Sequence, residues 1–94
     1  MTAPVRVKPS ARYLKSLAKL GEPLASRAAK ALTKFYLAPE SPGLNFEAFK
    51  NRPGFFTIRV DRNFRILLKA EEDEKGPYFL LADIADHDDT YSTR

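Results

Sequence analysis

Apolar positions change period once along the 94-residue chain, at the proline- and glycine-containing stretch APESPG, residues 38–43. Before it the spacing is helical. Ser10 is a suitable N-cap for a helix from about Ala11 to Leu20, in which Leu14, Leu17 and Ala18 share one face while Arg12, Lys15 and Lys19 point elsewhere. Gly21 ends that helix, and Pro23 suits the first turn of a second, in which Leu24, Ala28, Ala31, Leu32 and Phe35 recur at helical intervals up to Pro39. Ahead of this helical hairpin, Val5 to Lys8 reads as a short strand ended by Pro9.

After APESPG the period becomes two. LNFEAF reads as a short strand, and FFTIRVD alternates Phe56, Ile58 and Val60 against Thr57, Arg59 and Asp61. Arg62 and Asn63 make the next turn, beyond which Phe64, Ile66 and Leu68 alternate with Arg65, Leu67 and Lys69. A charged turn, EEDEKGP, then precedes a last strand from Tyr78 to about Asp86. The order predicts a two-layer α+β domain, with an N-terminal strand and helical hairpin packed on an antiparallel sheet. The length fits one domain over residues 1–94.

Composition narrows the chemistry. With no cysteine, disulfide scaffolds, thiolate zinc sites and cysteine nucleophiles are excluded together. No apolar run is long enough for a membrane span and the N-terminus lacks a secretory segment, so no membrane role and a cytoplasmic location are expected. Charge is uneven: residues 1–52 hold ten Lys or Arg against three Glu, whereas residues 53–94 hold six against nine acidic residues. A basic half suits a polyanion or an acidic partner, and equally a solvated helix surface.

Strand parity gathers several of these charges. If Phe56, Ile58, Val60, Phe64, Ile66 and Leu68 face the helices, Arg59, Arg65 and Lys69 share the opposite, outer face. Burying Leu80, Ala82 and Ile84 on the last strand would place Phe79, Leu81, Asp83, Ala85 and His87 on that same face. The run DHDDTY, residues 86–91, holds the only histidine. Consecutive residues of an extended segment alternate in direction and no second histidine completes a set, so too few ligands converge for a metal. A polar strand end and a catalytic cluster remain. Cleavage of an RNA phosphodiester by its own 2′-hydroxyl needs a base, cations for the transition-state charge and an acid for the leaving oxygen, and it needs no metal or cofactor. Arg, Lys, His and Tyr can supply all of these, and the neighbouring aspartates would favour the imidazolium form of His87.

The order of elements, with IRVDRNFRILLKA followed by FLLADIADHDDTY, resembles the RelE/ParE superfamily of bacterial type II toxins. The matching pieces are Arg59 before a hairpin, the Phe64-Arg65-Ile66 step beyond it, a final apolar strand, and His87 four positions before Tyr91. The ending looks most like the subgroup with a His-Asp-Asp-Ala-Tyr type terminus. The resemblance implies a ribosome-dependent mRNA endonuclease held in check by a cognate antitoxin that covers its basic surface. By position, Arg59 and Arg65 would contact the scissile phosphate, His87 would stand where many members place an arginine, and Tyr91 would transfer a proton or stack on a base. Lys50, Arg52, Arg62 and Lys69 would hold RNA backbone. The ParE branch shares the scaffold and is implied to act on DNA gyrase instead, and an inactive relative would serve only as a binding module.

Overall fold

The computed structural model describes residues 5–86. In chain order it contains β1 (Val7–Pro9), α1 (Ala11–Leu20), α2 (Leu24–Leu37), a single 3-10 turn (Pro42–Leu44), β2 (Glu47–Ala48), β3 (Phe55–Arg59), β4 (Phe64–Asp73) and β5 (Gly76–Asp86). The five strands form one sheet in the order β1-β5-β4-β3-β2. Strands β2 to β5 are antiparallel, whereas β1 runs parallel to β5 and makes the sheet mixed.

The caps fall where the sequence places them. Ser10 is extended, and its Oγ accepts from the Tyr13 N–H at 3.0 Å, satisfying a donor of the first turn of α1. Gly21 closes the helix with φ +67, a conformation that disfavours any residue with a Cβ. Helix α2 buries Leu24, Ala28, Ala31 and Phe35, as its apolar spacing requires. Helix α1 departs from its expected face: Tyr13 is 3% exposed and Leu14 is 52% exposed. The ring of Tyr13 is the larger apolar body, and burial pushes its hydroxyl pKa up.

One row of the sheet carries the centre of the core. Ile58, Ile66 and Ile84 are register partners across β3, β4 and β5, and each is almost wholly buried. Phe56, Leu68 and Leu81 form the next row on the same side. The expected assignment of Leu81 and Phe79 to the outer face is therefore wrong: Leu81 is 3% exposed in the core, and Phe79 packs against the Phe35, Phe46 and Phe56 rings. The cause is a β-bulge. Leu67 pairs with Asp83 but Leu68 pairs with Leu81, so Ala82 is the extra residue and strand phase shifts by one there. The Ala82 carbonyl accepts from Ser10 Oγ at 3.1 Å, which ties the bulge to the start of α1.

The charged turn is shorter than expected. Glu71, Glu72 and Asp73 continue β4, leaving only Glu74 and Lys75 between the strands. Cross-strand chemistry explains the extension: Tyr78 Oη donates to Glu71 at 2.8 Å, and Asp73 Oδ2 accepts from Arg6 at 2.8 Å and Lys8 at 2.6 Å. These two ion pairs also tie the β1 edge to the hairpin. LNFEAF contributes only the two-residue β2, because Leu44 belongs to the 3-10 turn and Asn45 has positive φ.

Candidate functional site

Strand β3 presents Arg59 and β4 presents Arg65 as register partners, at the end of the hairpin that closes through Arg62 and Asn63. In such an antiparallel pair the two Cα atoms lie about 5 Å apart. The turn that sets this register is built by Asp61. Its Oδ1 accepts from the N–H groups of Asn63 and Phe64, both at 2.9 Å, and its Oδ2 accepts from Arg27 on α2 at 3.2 Å. Burial works to raise the Asp61 pKa, but the two backbone donors and the Arg27 guanidinium outweigh it and hold the carboxyl below its ordinary value.

The two arginines sit in different environments. Arg59 is exposed, and its Nε donates to the Asp61 carbonyl at 3.3 Å. Arg65 is half-buried; its Nε and Nη1 are buried and have no hydrogen-bond acceptor among the described residues. A desolvated guanidinium with unmet donors is costly, and an anion reaching it would restore both hydrogen bonds and charge balance. Its register partner on β5 is Ala85, a small residue with no polar side-chain atom to offer it.

The remaining expected contacts divide between the two ends of the outer face. Arg62 is exposed in the turn beside Arg59 and Arg65. Lys69 lies four residues along β4 from Arg65, roughly 13 Å away at the strand rise, and pairs with Phe55. There the Arg52 guanidinium stands 4.2 Å and the Lys69 ammonium 5.8 Å from the Phe55 ring, while Lys50 is exposed in the preceding loop. Lys69 also pairs with Glu71 at 3.3 Å, which offsets part of its charge. Asp83, expected on the outer face, is instead engaged by α1 through Arg12 Nε at 3.0 Å and Ser16 Oγ at 2.6 Å. His87 and Tyr91 lie outside the described residues.

One feature was not foreseen from the strands. Arg59 also lines a groove of about 640 Å³ bordered by α2, the 3-10 turn and the end of β3. Arg27, Lys30 and Lys34 of α2 line it too, at positions i, i+3 and i+7 of one helix face. The sequence signal was there in the absence of any acidic residue from α2.

No protein-family model matches the chain, and no curated protein matches it at a significant level. Solved structures do. A YoeB/ParE toxin from Agrobacterium tumefaciens superposes with a TM-score of 0.69 at 9% identity, covering 88% of this chain and 99% of that one. A chain of the E. coli DinJ–YafQ toxin–antitoxin complex gives 0.69 at 12% identity, covering 94% and 98%. A chain of the RelBE2 toxin–antitoxin complex from Mycobacterium tuberculosis gives 0.55 at 18% identity, covering 90% and 100%. At these identities what is shared is the arrangement of the backbone, and it extends over nearly the whole of both chains. The protein therefore shares the backbone fold of these YoeB/ParE, DinJ–YafQ and RelBE2 chains.

Proposed function

We propose that this protein is the toxin of a type II toxin–antitoxin system, and that it acts as a metal-independent endonuclease on mRNA at the ribosome. The observation that carries the reading is the pairing of Arg59 with Arg65, whose buried Nε and Nη1 lack an acceptor among the described residues. A phosphodiester supplies the missing acceptors. As the 2′-hydroxyl attacks, charge builds on the non-bridging oxygens, and guanidinium donors fixed by the sheet stabilise it with little reorganisation. Arg65 is assigned to the scissile phosphate and Arg59 to its exposed side. His87 is assigned to protonating the leaving 5′-oxygen and Tyr91 to proton transfer or base stacking, the roles that the sequence resemblance implies. Arg62, Arg52, Lys50 and Lys69 are assigned to flanking backbone.

The resemblance to chains from toxin–antitoxin complexes supports an antitoxin as the partner. Purified protein added to mRNA-programmed ribosomes should yield new 5′-hydroxyl ends, and Arg65→Ala should abolish them. Intact mRNA together with arrested DNA gyrase would establish the alternative target, and neither effect would leave a protein-binding module.

A further inference from the structure

Strand β5 changes phase inside the run FLLADI, residues 79–84. Before the bulge Leu81 pairs with Leu68 in the core; after it Asp83 pairs with Leu67, Ile84 with Ile66 and Ala85 with Arg65. Neither uninterrupted register suits these residues. Carrying the Leu68–Leu81 pairing straight on would set Asp83 opposite Ile66, a carboxylate in the buried row of isoleucines, and Ile84 opposite Arg65. Carrying the Arg65–Ala85 pairing straight back would set Leu81 opposite Lys69 and turn Phe79 away from Phe35 and Phe56. The extra residue is held at Ala82 from α1. The Ser10 N–H donates to the Leu81 carbonyl at 3.0 Å, and Ser10 Oγ donates to the Ala82 carbonyl at 3.1 Å. On the other side of the bulge, Asp83 Oδ1 accepts from Ser16 Oγ at 2.6 Å and from the Ile84 N–H at 2.9 Å, and Oδ2 accepts from Arg12 Nε at 3.0 Å. The Arg12 side chain is 79% exposed, so solvent screens its ion pair and the hydroxyl and amide donors carry more of the hold.

From this geometry we infer that Asp83 is a positioning residue of the candidate site: through its engagement with α1 it fixes the bulge at Ala82 and thereby sets Ala85, in place of Ile84, opposite Arg65. Its carboxylate acts twice. It is bound where the bulge needs it, and it makes the straight register costly by refusing the isoleucine row. A methyl side chain then stands across from the guanidinium whose Nε and Nη1 lack an acceptor among the described residues, where a slipped strand would bring a branched one. Bulges beside functional sites re-aim side chains in this way. The effect on RNA cleavage rests on the proposed nuclease; the strand register and the anion response of Arg65 do not.

The test compares the full wild-type chain with Asp83→Val, Asp83→Asn and Asp83→Val lacking Ala82. Valine suits an uninterrupted apolar strand, so Asp83→Val should fold and show interstrand backbone NOEs between Arg65 and Ile84 in place of those between Arg65 and Ala85. Sulfate should raise its melting temperature by less than about half of the wild-type rise, and RNA cleavage should lose about tenfold to a hundredfold in kcat with KM changed less. Asp83→Asn keeps an acceptor for Ser16 and the Ile84 N–H, and should retain the wild-type NOEs. Deleting Ala82 from Asp83→Val removes the extra residue and keeps Leu81 and Ile84 on one face without a bulge, so it should restore the Arg65–Ala85 NOEs, the sulfate response and cleavage. A role for Asp83 confined to stability predicts no such rescue. Arg65–Ala85 NOEs retained in Asp83→Val, or a deletion variant that regains them without regaining the sulfate response, would each overturn the inference. Should Asp83→Val fail to fold, Asp83→Ala with and without Ala82 makes the same comparison. If no form of the protein cuts RNA, the proposed nuclease fails while the NOEs and sulfate titrations still decide the role of Asp83.

Discussion

Arg59 and Arg65 face one another across the β3–β4 ladder, yet of the two only Arg65 has its Nε and Nη1 buried without an acceptor among the described residues. Buried guanidinium donors that lack an acceptor beside a second cation are unfavourable, and an anion can relieve this. The asymmetry makes the two residues separable by experiment.

Replacing Arg65 with leucine should remove activity without loss of stability. The stem is already half-buried, and an aliphatic side chain leaves no unmet donors. Thermal unfolding should show an equal or higher melting temperature for Arg65→Leu, while growth inhibition disappears. Sulfate should raise the melting temperature of the wild-type protein and leave that of Arg65→Leu nearly unchanged.

Asp61 should matter for both stability and site geometry. Asp61→Ala removes the acceptor of the Asn63 and Phe64 N–H groups and the partner of Arg27. The expected cost is about 1–2 kcal/mol in denaturant unfolding. Asp61→Asn keeps an oxygen for the turn and should cost less. Activity should fall further than stability accounts for, because the turn sets the Arg59–Arg65 register.

The bulge at Ala82 yields a prediction about neighbours. Leu81 is in the core and Leu80 is only half-buried. Leu81→Glu should prevent folding or cost more than about 4 kcal/mol, and Leu80→Glu should leave a folded, cooperative protein. Circular dichroism with urea titration distinguishes them; the opposite ranking would restore the uninterrupted strand phase.

Acid should weaken the attachment of β1. The Arg6 guanidinium, followed by the Lys8 ammonium, holds the Asp73 carboxyl well below the usual carboxylate range. With its folded pKa depressed, Asp73 contributes stability that is fully present above its unfolded value near 3.8 and is lost as pH falls towards the folded value. The stability difference between wild type and Asp73→Asn should therefore be constant from neutral pH down to about pH 5 and shrink below about pH 4.

Much of the fold was legible because its signals are local. Ser10 and Gly21 bound α1, the spacing of Ala28, Ala31 and Phe35 gives α2 its buried face, and the alternation of Phe56, Ile58 and Val60 fixes which side of β3 meets the helices. The outer position of Arg59 and Arg65 follows from that alternation and from a short turn. What failed was non-local. A one-residue bulge leaves no mark in an apolar run such as FLLADIA, so the phase of Phe79 and Leu81 could not be read from it. The parallel pairing of β1 depends on contacts more than sixty residues apart in sequence, as do the ion pairs that Arg6 and Lys8 make with Asp73 at the end of β4. The α2 groove was hidden for a different reason: cations on a helix face look the same whether they are solvated or line a cleft.

The most direct measurement is the mapping of transcript ends in growing cells after brief expression of the wild-type and Arg65→Leu proteins. The proposed function predicts new 5′-hydroxyl ends within translated coding regions for the wild type and none for Arg65→Leu at equal protein levels. Unaltered transcript ends in cells whose growth is nevertheless arrested, with the arrest persisting in Arg65→Leu, would contradict it.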